Sequence, residues 1–145
     1  FITVFMIGLV SGNLFLIHKI KVNYRNFSMI QYAMGITAIF IPILLIQMNV
    51  GAPAGFIVHT VFIALMGLIG LLTGLQFSLG TKLRTVSIEQ NASSSYAADS
   101  LGSGFGALVV TTLLIPLLGI VKVCMIIGII NFITGLYILI YMRNK

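Results

Sequence analysis

Five runs of apolar residues, most of them about twenty long, occupy nearly all of this chain: Phe1–Ile17, Met29–Met48, Ala54–Leu79, Tyr96–Ile120 and Val123–Met142. A helix rises about 1.5 Å per residue, so twenty residues reach about 30 Å, the thickness of a bilayer's hydrocarbon core. The runs are too long for strands and lack the alternation of a porin-type barrel, so each reads as a helix. Composition agrees. Charged residues are 7% of the chain and hydrophobic ones 59%, whereas a soluble domain carries about 25% charged residues. Too few polar side chains are present to coat a globular surface. That excludes a soluble enzyme, a secreted disulfide domain, a disordered tail and a coiled coil. The expected fold is all-α: one polytopic transmembrane bundle over residues 1–145, with five apolar helices. The first run is the shortest and begins without Met or a basic lead. It reads as a piece of a longer protein, not as a signal peptide.

The basic residues set the expected orientation. The sequence carries 8 Lys and Arg against 2 Asp and Glu. In a soluble domain this balance would suggest nucleic acid. Here the cations sit between apolar runs, so no nucleic-acid partner is expected, and the lipid bilayer is the primary one. Lys19, Lys21 and Arg25 follow the first run, Lys82 and Arg84 the third, and Arg143 and Lys145 the fifth. Only Lys122 falls on the other side. Cytoplasmic connections carry the excess of Lys and Arg. Phe1 is therefore expected outside and Lys145 in the cytoplasm of a bacterial inner membrane. Asn26-Phe27-Ser28 and Asn91-Ala92-Ser93 match the glycosylation acceptor pattern, but both fall on the expected cytoplasmic side and read as chance matches.

Helices in lipid associate through close contact and hydrogen bonds, which small residues permit. Gly8 and Gly12, Gly70 and Gly74, and Ala98, Gly102 and Gly106 recur at four-residue spacing. Gly128 and Gly135 share a face with Asn131. These are the expected packing faces, set against one another or against further helices of this or another chain. Pro42 and Pro116 each remove a backbone donor and read as local bends.

Few residues can carry chemistry. Asp99 is one of two acidic residues. After Ser93-Ser94-Ser95, a good helix start, it would sit one turn into a helix near the positive dipole end. An intramembrane carboxylate coupling an ion or substrate is the second reading, and pairing with Lys82 or Arg84 the third. Gln76, Asn131 and Tyr96 are the next polar candidates. With Asp99 they form the expected polar cavity, open to a small-molecule substrate. The two histidines, His18 and His59, fall on opposite expected sides, and the single cysteine, Cys124, lies in an apolar run. No metal ligand set, cofactor motif or nucleophile–base pair is recognisable.

The fourth run carries the most specific string. It reads Tyr96-Ala97-Ala98-Asp99-Ser100-Leu101-Gly102-Ser103-Gly104-Phe105-Gly106-Ala107-Leu108, followed by Leu114-Ile115-Pro116-Leu117-Leu118-Gly119. This resembles the membrane part of the spermidine-synthase-like membrane proteins, in which a transporter-like helical domain is fused to a cytosolic aminopropyltransferase. Leu75-Gln76-Phe77-Ser78-Leu79 looks like the family's Phe-Pro-Leu segment, with Ser78 where proline is expected. The resemblance implies one half of a major-facilitator-type bundle lacking its first helix, and a polyamine connection. It implies no catalytic residue here, because the synthase's glycine motif and acidic residues are absent. Anchoring the enzyme, transporting a small solute, or both, is the expected role. A structural subunit of a larger membrane complex is the alternative.

Overall fold

The computed structural model describes residues 1–16, 20–51, 55–83 and 88–141. Every regular element among them is helical. Helix α1 spans Ile2–Ser11 and runs into a π-helical turn, Gly12–Leu16. Helices α2 (Tyr24–Gly51) and α3 (Gly55–Lys82) each have 28 residues, about 42 Å of helix and ample for a hydrocarbon core. Helix α4 spans Ile88–Val109, passes through a second π-helical turn, Val110–Leu114, and continues as α5, Ile115–Tyr141. His18, Lys19, Pro53, Arg84, Arg143 and Lys145 lie outside the described residues.

Among the described residues three helical spans are long and apolar enough to cross a membrane: Tyr24–Met48, Gly55–Lys82 and Tyr96–Ile140, with Ile2–Leu14 shorter. The expected fourth and fifth helices follow one another with no polar loop between them. Their boundary is one residue, Gly119, at φ 78 and ψ 159. Only glycine adopts that conformation freely, so a single residue redirects the chain. Pro116 has no N–H to bond the carbonyl four residues earlier, and the π-helical turn sits immediately before it. The expected start of the fourth helix at Tyr96 is also corrected. The helix begins at Ile88, because the polar stretch before Tyr96 joins it instead of capping it.

The packing is inverted relative to a soluble protein. Large apolar side chains point outward: Phe56 is 81% and Leu117 77% exposed. Small residues lie inside, among them Gly8, Gly12, Ser28, Gly35, Gly70, Gly74, Ser78, Gly128 and Gly135. Ile30, Leu75, Leu79 and Val123 are the buried large apolar residues among those described. In lipid, outward Leu and Ile cost nothing, and small residues let backbones approach. This is the build of an integral membrane protein. The hydroxyls conform to it. Thr37, Thr60, Thr73, Thr111, Thr112 and Thr134 each donate to the carbonyl one turn back in their own helix. Their polar hydrogens are thereby satisfied without water.

Two helix pairs dominate. Helices α1 and α3 run parallel, with backbone against backbone. A Cβ on Gly8 would strike the Gly67 carbonyl oxygen, one on Gly70 that of Phe5, and one on Gly74 that of Leu9. The same register places Phe1 beside His59 and Phe62, with ring centroids 6.3 and 6.4 Å apart. It also brings the Ser78 hydroxyl onto the Asn13 carboxamide oxygen. Helices α2 and α5 run antiparallel, with glycine mostly against side chain, and Gly35 and Gly128 also lie against each other's carbonyl oxygens. Gly35 lies under the Phe132 ring, Gly128 against Ile39 and Gly135 against Tyr32. Tyr32 and Phe132 pack 5.6 Å apart. Buried Ser28 donates across the pair to the Gly135 carbonyl at 2.7 Å, so the first acceptor pattern has its hydroxyl engaged. The α2–α3 contact, around Ile30, Leu75 and Leu79 with Phe27, joins the two pairs.

Candidate functional site

The directions of the helices decide which polar residues can meet. Helix α3 ends, and α2 begins, at the same end of the bundle, where Phe27 lies against Gly80. Helix α4 starts from that end and touches the bundle along α3. Between them lies an open cleft of about 540 Å³ lined by Phe27, Thr73, Gln76, Phe77, Gly80, Thr81, Ala98 and Asp99. Spaced at three and four residues, Thr73, Gln76, Phe77 and Gly80 share one side of α3. The glycines that hold α1 occupy a different side.

Two of the four expected cavity residues therefore come together, Gln76 from α3 and Asp99 from α4. Asp99 stands three turns into its helix, because α4 begins at Ile88. The placement one turn from a helix start is thus corrected, and the dipole argument built on it goes with it. Tyr96 is 71% exposed and does not line the cleft. Asn131 lies on α5, and its amide donates to the Ile127 carbonyl at 2.9 Å within its own helix. No side-chain hydrogen bond engages Gln76 or Asp99 among the described residues. The Thr73 and Thr81 hydroxyl protons are spent on the Ile69, Phe77 and Ser78 carbonyls, leaving their oxygens as acceptors. The cleft thus offers one carboxylate, one amide and two acceptor hydroxyls beside two phenyl rings.

The packing residues divide. Gly8, Gly12, Gly70 and Gly74 meet backbone, and Gly128 and Gly135 meet side chains. Gly102 and Gly106 have nothing within 4 Å of where a Cβ would stand, and Ala98 lines the cleft. Among the described residues nothing packs on Gly102 and Gly106, and Leu101, Phe105 and Leu108 are also exposed.

Asn13, Ser28 and Ser78 make the hydrogen bonds that knit the bundle, and Gln31 is buried beside them; none of the four was a candidate site residue from the sequence. Gln31 is only 8% exposed, and its carbonyl oxygen has no partner among the described residues. The signal was available for two of them. Asn13 and Gln31 are amides inside apolar stretches, as Gln76 and Asn131 are. Among the described residues no three of His, Cys, Asp and Glu gather to hold a metal ion. No protein-family model, curated protein or solved structure matches this chain.

Proposed function

We propose that this chain is a membrane module of the spermidine-synthase-like kind, half of a major-facilitator-type bundle, which admits a small solute to the cleft between α3 and α4. One observation carries the reading. The carboxylate of Asp99, costly in an apolar setting and functional there by default, shares a cleft with Gln76 of another helix. The string from Tyr96 to Gly119 supports the family reading, and aminopropyl transfer would belong to a domain outside these residues. A bacterial inner membrane is the proposed location, with Tyr96–Ile140 crossing twice about Gly119 and Phe1 outside. Support for this orientation comes from the helix directions, which gather Lys21, Arg25 and Lys82 at one end of the bundle and Lys122 toward the other.

Uptake by the purified chain in proteoliposomes tests the reading, with spermidine and simple organic amines as solutes. Saturable uptake that falls tenfold or more in Asp99→Asn supports it. Absence of uptake of all of them, or equal uptake by Asp99→Asn, overturns it.

A second reading is favoured by the uncovered face of Gly102 and Gly106: a structural subunit whose α4 meets a helix of another protein. Replacing both glycines by Leu separates the two. Loss of a larger assembly with uptake unaffected favours the subunit, and intact assembly removes it.

A further inference from the structure

Charge and shape in the cleft narrow the solute further than the family resemblance does. Asp99 is the sole acidic residue among the described residues that line the cleft. The only other acidic residue of the chain, Glu89, lies ten positions earlier on α4. Thr81, at the cleft's end, is followed directly by the exposed Lys82. One carboxylate balances one positive charge. A second or third ammonium on the same solute would find no further carboxylate among the described lining residues and would meet the like charge of Lys82, the sequence neighbour of Thr81, an unfavourable placement. The aromatic part of the lining is Phe27 on α2 and Phe77 on α3. A phenyl face attracts a nearby cation and also accepts an apolar body. Gln76 and the hydroxyl oxygens of Thr73 and Thr81 add acceptors for N–H groups. A volume of about 540 Å³ is that of an ordinary small-molecule site.

We propose that the cleft binds a monovalent organic ammonium with an apolar or aromatic body, in preference to a polyamine. Asp99 pairs with the ammonium, Gln76 accepts an N–H, and Phe27 and Phe77 hold the body. The proposal deepens the reading of this cleft as the solute site, and it rests on that reading for location only.

Equilibrium binding to the full chain in zwitterionic nanodiscs tests it. The probes are phenethylamine, the neutral 2-phenylethanol of the same shape, and spermidine. Phenethylamine is expected to bind saturably and at least tenfold more tightly than either of the others. Asp99→Asn should weaken phenethylamine tenfold or more without weakening 2-phenylethanol, and Phe77→Ala should weaken both severalfold. Tyr96→Phe, outside the cleft, should change nothing and reports that the preparation is sound. Should Asp99→Asn fail to fold, Asp99→Ser removes the same carboxylate and gives the same comparison. Spermidine binding as tightly as phenethylamine overturns the proposal, as does an Asp99→Asn protein that binds phenethylamine unchanged. The two readings fail separately. Asp99-dependent spermidine uptake with tight spermidine binding ends the preference and keeps transport. Selective phenethylamine binding without any uptake ends transport and keeps the site.

Discussion

Helices α3 and α4 carry the same small-residue spacing, Gly70 and Gly74 in one, Gly102 and Gly106 in the other. In α3 the glycines press on the backbone of α1, so closely that a methyl group would enter the carbonyl oxygens of Phe5 and Leu9. In α4 they face open space. The α2–α5 pair lies between these cases, since the nearest neighbours of its glycines are side chains that can move, with backbone contact only between Gly35 and Gly128. A small-xxx-small pattern thus permits contact without making it. Contact needs a second helix whose own face is cleared, as α1 is at Gly8 and Gly12. Helix α4 has no such neighbour among the described residues, and its separation from α3 leaves the cleft at Asp99 open.

One substitution, Gly to Ala, tests this gradient through stability to SDS unfolding in mixed micelles. The largest effect is expected at Gly74. There the new methyl meets Leu9 backbone, with the carbonyl carbon at 3.0 Å and Cα at 3.1 Å. Backbone cannot rotate away, so Gly74→Ala should cost about 3 kcal/mol. A loss below about 1 kcal/mol would mean that α1 and α3 are not in backbone contact. Next comes Gly119→Ala, where a side chain must adopt φ 78 and ψ 159. It should cost about 2 kcal/mol, and an unchanged midpoint would show that the chain turns elsewhere.

Smaller effects sharpen the comparison. Ser28→Ala removes the hydrogen bond to the Gly135 carbonyl and should cost about 1 kcal/mol, the scale of an interhelical bond in a membrane protein. A Ser28→Thr protein that keeps the midpoint would attribute that loss to the hydroxyl. Gly102→Ala should act in the opposite direction, raising stability by about 0.5 kcal/mol, since Ala favours helix and nothing obstructs it. Destabilisation there would place a partner against α4. The smallest change is expected at Gly135→Ala. Its methyl would lie 3.1 Å from the Tyr32 ring and 3.3 Å from the Gln31 Cβ, and slight side-chain movement is offset by helix preference, for a net within about 0.3 kcal/mol.

Much of the fold was legible in the sequence because hydropathy and length are local properties. An apolar run long enough for a bilayer must be helical, whatever it touches. Gly8, Gly12, Gly70 and Gly74 were legible as a face because four-residue spacing puts them on one side of a helix. The start of α4 was misread at Tyr96, because Ser93, Ser94 and Ser95 suit a helix cap and a helix interior with hydroxyls turned back on the chain equally well. The break near Gly119 was legible, but not that one residue makes it, because a glycine at positive φ and a longer connection look alike in sequence. At the cleft, Gln76 and Asp99 stood out as polar residues in apolar runs. Phe27 and Phe77 did not, since an aromatic residue in such a run has no distinguishing mark until its neighbours are known.

The sequence alone determined that this chain is helical, that its helices are built for lipid, and which of their faces are small enough for close approach. Each follows from the cost of unpaired backbone groups in hydrocarbon and from helical periodicity, neither of which depends on distant residues. Tertiary structure alone decided that α1 pairs with α3 and α2 with α5, and that identical glycine spacing is buried in α3 and bare in α4. It also decided that Asp99 shares a cleft with Gln76 while Asn131 turns back on its own helix. Between lipid-like surfaces no hydrophobic gradient selects a partner. The choice rests on the fit of whole helix faces, which becomes visible only when both faces are in place.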